Sequence, residues 1–224
     1  MRSLLMLFAA TALATPAAAQ SSVNEPASGV AFPVEHTGAN GSPQVLAGTG
    51  LRTRTMLRVK IYAFGLYVDA AGARGGLSAF AGKTAAQLEG DNGFYDALLR
   101  MSFPMSLRLV MIRNITGEQM SDAFEEALRP RVVQAASRNM PGGEAALTTF
   151  RGFFSLDRLT EGVELIFTCT PDGTLHSSVA GDRKAPIASR ALCWALFDVY
   201  LGRTPISPDG RKSAIARIPA IIGG

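Results

Sequence analysis

Residues 51–69 read LRTRTMLRVKIYAFGLYVD. The run is dense in β-branched and aromatic residues and alternates in polarity, which marks extended chain. Strict alternation places Arg52, Arg54, Met56, Arg58, Lys60, Tyr62, Phe64, Leu66 and Val68 on one face. That face passes from basic to apolar along its length. The other carries Leu57, Val59, Ile61, Ala63, Gly65 and Tyr67. A bulge near Gly65 would change the later register. Upstream, Gly48-Thr49-Gly50 reads as a flexible turn after Val45-Leu46, and Gln20–Ser42 reads as a loose leader with an edge strand at Val30–Val34.

Downstream, Ala70–Gly76 reads as a loop and Leu77–Leu88 as a short helix. Asp91-Asn92-Gly93 reads as a turn. Ala97–Phe103 and Met105–Asn114 read as strands separated by Pro104. Thr116-Gly117-Glu118-Gln119 is a capping box, and Met120, Phe124, Ala127 and Leu128 follow at helical spacing. Pro130 is expected to kink or restart that helix. Glu144–Phe154 reads as a second helix. Val163–Thr170 and Thr174–Val179 form a hairpin around Pro171-Asp172-Gly173. Pro186 is expected to open an apolar helix that runs through Tyr200 and stops at Gly202. Ser207 caps a last short helix with Pro208 at its first position. Strands, helices, a hairpin and helices in that order predict an α+β domain with an antiparallel sheet.

The 224 residues are 47% apolar and 18% charged, enough for one sizeable core and too apolar for a disordered chain. Mean hydropathy is +0.17, with the longest charge-free apolar stretch at the N-terminus. Arg2, the apolar run Ser3–Ala14 and Ala17-Ala18-Ala19 match a secretory signal, and the run is shorter than the roughly 20 residues that span a bilayer. The expected organisation is a signal peptide at 1–19, a leader at 20–44 and one domain at 45–224, exported to the periplasm with no transmembrane segment after cleavage. The alternative, an uncleaved anchor, lacks a long hydrophobic extension. The formal net charge of +4 is mild and dispersed, which argues against a nucleic-acid partner. Cys169 and Cys193 can pair in an oxidising compartment, but their apolar surroundings favour two buried free thiols.

No nucleophile, P-loop or zinc-protease motif occurs. His36 and His176 read as structural, Glu125 and Glu126 as solvated, and no cofactor or metal is expected. The informative constellation is Arg52 with Tyr62. A guanidinium fork suits a carboxylate or phenolate oxyanion, and a nearby phenol can donate a second bond. Phe64, Leu66, Met101, Phe103, Met111 and Met120 would surround the apolar body of such a ligand. Periodicity alone favours the bland alternative, a surface ion pair at Arg52 and an ordinary core-edge tyrosine.

Gly48-Thr49-Gly50-Leu51-Arg52 and Val59–Val68 together resemble the chalcone isomerase fold family. Ile115-Thr116-Gly117, Tyr200-Leu201-Gly202 and Ile206-Ser207-Pro208-Asp209 extend the likeness over residues 45–220. The resemblance implies an open-faced β-sandwich, a long antiparallel sheet covered by helices with a ligand cleft between them. It implies either an intramolecular lyase that closes a chalcone to a flavanone, or a fatty-acid-binding protein. Arg52 occupies the place of the isomerases' arginine, and Tyr62 that of a threonine. Met111 stands at their lysine, Met120 at their tyrosine, Ala127 at their asparagine, and Val199, beside Tyr200, at a polar residue. These replacements remove the donors that ring closure needs. The expected function is therefore an exported binding protein for a fatty acid or similar amphiphilic carboxylate. Arg52 and Tyr62 would hold the head group, with Phe64, Met111, Met120, Phe124, Val199 and Tyr200 along the ligand. The rivals are a lyase using Arg52 and Tyr62 as catalytic residues, and an accessory envelope protein with a filled cleft. Oligomeric state is left open.

Overall fold

A computed structural model describes residues 21–54 and 59–223. The signal segment expected at 1–19, and Met56, Leu57 and Arg58, lie outside the described residues. The first strands are short: β1 (Ser22–Asn24), β2 (Ala31–Pro33) and β3 (Glu35–Thr37). The long stretch is two strands rather than one, β4 (Pro43–Arg54) and β5 (Val59–Val68), paired antiparallel. Helices α1 (Ala70–Gly76), α2 (Ala85–Glu89) and α3 (Asn92–Leu98) precede β6 (Met105–Met111). Then come α4 (Gly117–Ser137), α5 (Gly143–Gly152), β7 (Glu164–Cys169), β8 (Thr174–Val179), β9 (Asp182–Arg183) and β10 (Ile187–Ala188). The chain finishes with α6 (Arg190–Leu201), α7 (Pro208–Ser213) and α8 (Ile218–Gly223). The main sheet has the order β10-β8-β7-β6-β5-β4-β3, with β9 on β8, and every pairing is antiparallel.

The pleat sorts the two faces. Tyr62, Phe64, Leu66 and Val68 of β5 pair with Met111, Leu109, Leu107 and Met105 of β6, and all belong to the main core under the helices. Leu165, Phe167 and Cys169 of β7 continue that face. The opposite face carries a smaller cluster of Phe32, Leu46, Ala63, Tyr67 and Val110, covered by the β1–β2 hairpin. His36 packs on Tyr67 there, at 4.9 Å between ring centroids. Burial, then the nearby Arg108 guanidinium, holds its pKa below the ordinary value.

Gly48-Thr49-Gly50 is strand, not a turn. A Cβ on Gly48 would lie 2.0 Å from the Ser213 carbonyl oxygen, and one on Gly50 would lie 2.8 Å from the Gly210 Cα. The glycines let α7 lie directly against β4. Gly65 keeps regular register; its missing side chain makes room for Phe32. The register shifts fall instead between Leu46 and Gly48 and between Arg52 and Thr53.

Other boundaries differ from expectation for local reasons. Ala97–Phe103 is not a strand. Asp91 accepts a bond from the Phe94 amide at 3.2 Å and caps α3, so the apparent turn is a helix start. Leu77–Leu88 divides into a 3₁₀ turn at Ser78–Phe80 and α2, with Gly82 in the left-handed region between them. Pro130 sits inside α4 without ending it. The late helix begins at Arg190, capped by Ser189, because Ile187–Ala188 is drawn into the sheet against β8. The caps at Thr116 and Ser207 are as read.

Cys169 and Cys193 are not free thiols: they form a disulfide, with Cα atoms 5.8 Å apart. The favoured alternative failed because no sequence pattern reports how α6 sits on the end of β7. Both cysteines are fully buried, and the bond ties α6 to the sheet across 24 residues of chain. Closing a loop of that length contributes about 3 kcal/mol. The Cys169→Ala/Cys193→Ala double variant should lose about 2–4 kcal/mol in denaturant unfolding; an unchanged midpoint would mean that the bond constrains nothing.

Candidate ligand-binding site

The register of β4 on β5 places Arg52 directly opposite Tyr62. Cross-strand partners share a face, so both side chains turn toward the helix-covered side. The two residues border a cavity of about 350 Å³. The first turns of α4 supply Met120, Phe124 and Ala127, and the last turn of α6 supplies Val199 and Tyr200. Capping of α4 by Thr116 points that first turn, whose Gln119 side chain accepts from the Thr116 amide at 3.0 Å.

At the polar end, the Tyr62 and Tyr200 hydroxyls are 2.8 Å apart. The two residues are 6% and 1% exposed respectively, and the bond between their hydroxyls is buried. Burial pushes the Tyr62 phenol above its ordinary pKa, against opposing effects from Tyr200 and Arg52. Burial, reinforced by Tyr62, pushes Tyr200 well above its own. Both are therefore neutral near pH 7. Two neutral phenols carry two protons, and their mutual bond consumes one. The second remains available to an acceptor. Phe64 packs edge-on to Tyr200 at 4.9 Å and holds its ring.

Arg52 is half-buried. Its Nη1 donates to the Ile206 carbonyl oxygen at 3.0 Å, which anchors one arm of the fork. Among the described residues, no carboxylate forms an ion pair with it. The surface ion pair expected on the bland alternative is thus absent there. An oriented cation and a phenol pair sit beside apolar walls from Met120, Phe124, Ala127 and Val199. Such a site can hold an oxyanion head and an apolar body. Among the described residues, no group of three His, Cys, Asp or Glu is placed to hold a metal ion.

Of the expected site residues, the fold gathers Arg52, Tyr62, Met120, Phe124, Val199 and Tyr200 around this cavity. Phe64 and Met111 are behind its wall instead. Phe64 is fully buried under Tyr200 and against Gly50 and Gly210, and Met111 is covered beside its strand partner Tyr62. Leu66, Met101 and Phe103 do not border it either. Parity assigned the face correctly but could not say how far along the strand the cavity reaches. The sequence reading missed the mouth, where Arg54, Arg113, Asn114 and Gln119 stand, and it missed Ile206. Arg54 was legible as part of the basic strand face. Arg113-Asn114 was hidden inside an overlong strand, since β6 ends at Met111.

With this geometry in view, residues 43–215 match the family described as chalcone isomerase like. The chain belongs to the chalcone isomerase-like family. It is 32% identical over 206 residues to fatty-acid-binding protein 2 of Arabidopsis thaliana, covering 88% of this chain and 51% of that protein. The chain thus spans about half the length of that relative. It is 30% identical over 206 residues to a chalcone–flavanone isomerase of Oryza sativa subsp. japonica, covering 87% of this chain and 88% of that one. The crystal structure of an Arabidopsis thaliana fatty-acid binding protein superposes with a TM-score of 0.75 at 23% identity, over 90% of this chain and 99% of that chain. The fold expected from the resemblance is the fold found: an antiparallel sheet with helices, shared by this family.

All four tyrosines have raised pKa values, each chiefly through burial, with Tyr67 pushed up to about 12. The folded chain should therefore show little phenolate absorbance near pH 10, where the guanidinium-unfolded chain shows about half of its total. A folded-state titration that overlays the unfolded one would contradict the buried Tyr62–Tyr200 pair.

Proposed function

We propose that this family member binds a fatty acid or similar amphiphilic carboxylate in the cavity beside Arg52. The observation that carries the proposal is the pairing of a guanidinium fork, without an acid partner among the described residues, with a neutral phenol pair at one end of an apolar cavity. The carboxylate would accept from the arm of Arg52 that does not bond Ile206 and from the unused phenol proton. The acyl chain would lie along Met120, Phe124, Ala127 and Val199. Names of relatives agree with this reading on the fatty-acid side and with a lyase on the other.

The lyase reading draws on Arg52 at the isomerases' arginine position and on the rice relative. Against it, the cavity wall presents Met120, Ala127 and Val199, where the resemblance puts donors in the isomerases, and loss of one such donor costs about 10²–10³ in rate. The filled-cleft reading is weakened by a cavity of about 350 Å³ beside Arg52. Export belongs to the same proposal. A buried disulfide supports an oxidising compartment, and no helix among the described residues is long and apolar enough to cross a membrane.

The test is to express the full chain with its leader, purify it from the periplasm and extract bound small molecules for mass spectrometry. The proposal predicts a stoichiometric carboxylate on a chain that begins at Gln20. Arg52→Ala should weaken its binding by more than about tenfold, the loss of a charge-assisted bond. Tyr62→Phe should weaken it less and preserve the Arg52–Ile206 contact. Unchanged affinity in Arg52→Ala would reject the head-group role. Chalcone turnover well above solution cyclisation, lost in Arg52→Ala, would establish the lyase instead.

A further inference from the structure

A second concave region lies on the other side of α6. Val199 and Tyr200 face the ligand cavity, whereas Asp198, Leu201 and Gly202 border a separate cavity of about 180 Å³. Its wall carries Arg138, Arg203 and Arg211 beside Tyr95. Arg138, Arg203, Asp96 and Leu99 also border an adjoining groove, which adds Arg100, Arg190 and an apolar floor that includes Trp194.

The charges here do not cancel internally. Asp198 is already held by Arg131 at 2.9 Å, with both side chains mostly buried. Asp96 reaches Arg203 at 3.5 Å, but that pair is largely exposed and weak. Arg138 stacks on Trp194 at 4.8 Å and Arg211 on the Tyr95 ring at 3.4 Å, contacts that orient guanidinium groups without neutralising them. Arg211 also donates from Nε to the Leu201 carbonyl oxygen at 3.0 Å, which fixes its plane.

Two polar atoms at this place lack partners. The Tyr95 hydroxyl and Arg211 Nη2 are buried without a hydrogen bond among the described residues, and Tyr95 is only 2% exposed. Leaving such atoms unsatisfied is destabilising. Both residues line the same cavity, so an acceptor group with several oxygens seated there is the kind of partner the two atoms call for. A carboxylate offers two oxygens, whereas a phosphate offers three acceptors and up to two charges to several arginine forks at once.

We propose that the cavity formed by Tyr95, Arg138, Arg203 and Arg211 binds the phosphate group of a phosphate ester, whose organic part lies on the Trp194 floor. The ester is either a phospholipid head group or a soluble small molecule, and the chemistry at the phosphate is shared.

The test uses the purified chain at low ionic strength. Inorganic phosphate and glycerol 3-phosphate are titrated calorimetrically, and phosphatidylglycerol vesicles are used in sedimentation. Binding is compared with Tyr95→Phe and Arg203→Ala. Tyr95→Phe removes a hydroxyl that has no partner among the described residues, so it should not lower the unfolding midpoint; a lowered midpoint would overturn the premise. Each variant should weaken binding about tenfold. Binding of soluble phosphates identifies a free ester, and binding of vesicles alone identifies a lipid. Absence of binding to all three probes overturns the proposal. So does a loss confined to Arg203→Ala, because diffuse attraction depends on charge and not on a neutral hydroxyl.

Discussion

Arg52 and Tyr62 meet because two strands pair in one register, and side chains on a strand alternate with period two. A slip of one residue would turn Tyr62 toward the outer face and separate it from Tyr200. Several features prevent that slip. Phe64, Leu66 and Val68 must face the helices together with Tyr62, and Tyr67 must face Phe32 on the outside. Gly48, Gly50 and Gly65 stand where α7 and Phe32 press against the sheet, and a side chain at any of them would collide. The register that packs the core is therefore the register that builds the polar end of the cavity.

The second strand–helix contact is as important as the first. Tyr200 completes the phenol pair only if α6 stays seated on the sheet. Ten of its twelve residues are buried, and the Cys169–Cys193 bond fixes its first turn to β7. Burial also sets the chemistry. The phenols stay neutral because charge is costly there, so they can donate a hydrogen bond to an anion rather than repel it. Arg52, anchored at Ile206 and lacking an acid partner among the described residues, supplies the opposite charge.

The fold was legible where local chemistry and periodicity agreed. Met120, Phe124 and Leu128 follow the Thr116 cap at helical spacing, and the Pro171–Gly173 turn joins two alternating strands. It was illegible where tertiary contact overrode local pattern. Gly48-Thr49-Gly50 resembles a turn until α7 is placed against it. Asp91-Asn92-Gly93 resembles a turn until its cap is seen. The disulfide needed a helix position that spacing does not encode. For the site, the strand face and the family likeness together indicated Arg52, Tyr62, Met120 and Tyr200. They could not set the cavity's length, so Phe64 and Met111 were assigned to it and Arg113 and Gln119 were not.

The central claim is that Arg52 and the phenol pair hold an ionised carboxylate. Its most direct test is carbon-13 NMR of a bound fatty acid labelled at the carboxyl carbon, followed through acid pH. A guanidinium beside the head group favours its ionised form. The bound carboxylate should therefore remain ionised to lower pH than the same head group in Arg52→Ala. A carboxyl resonance that titrates identically in both proteins would contradict the account.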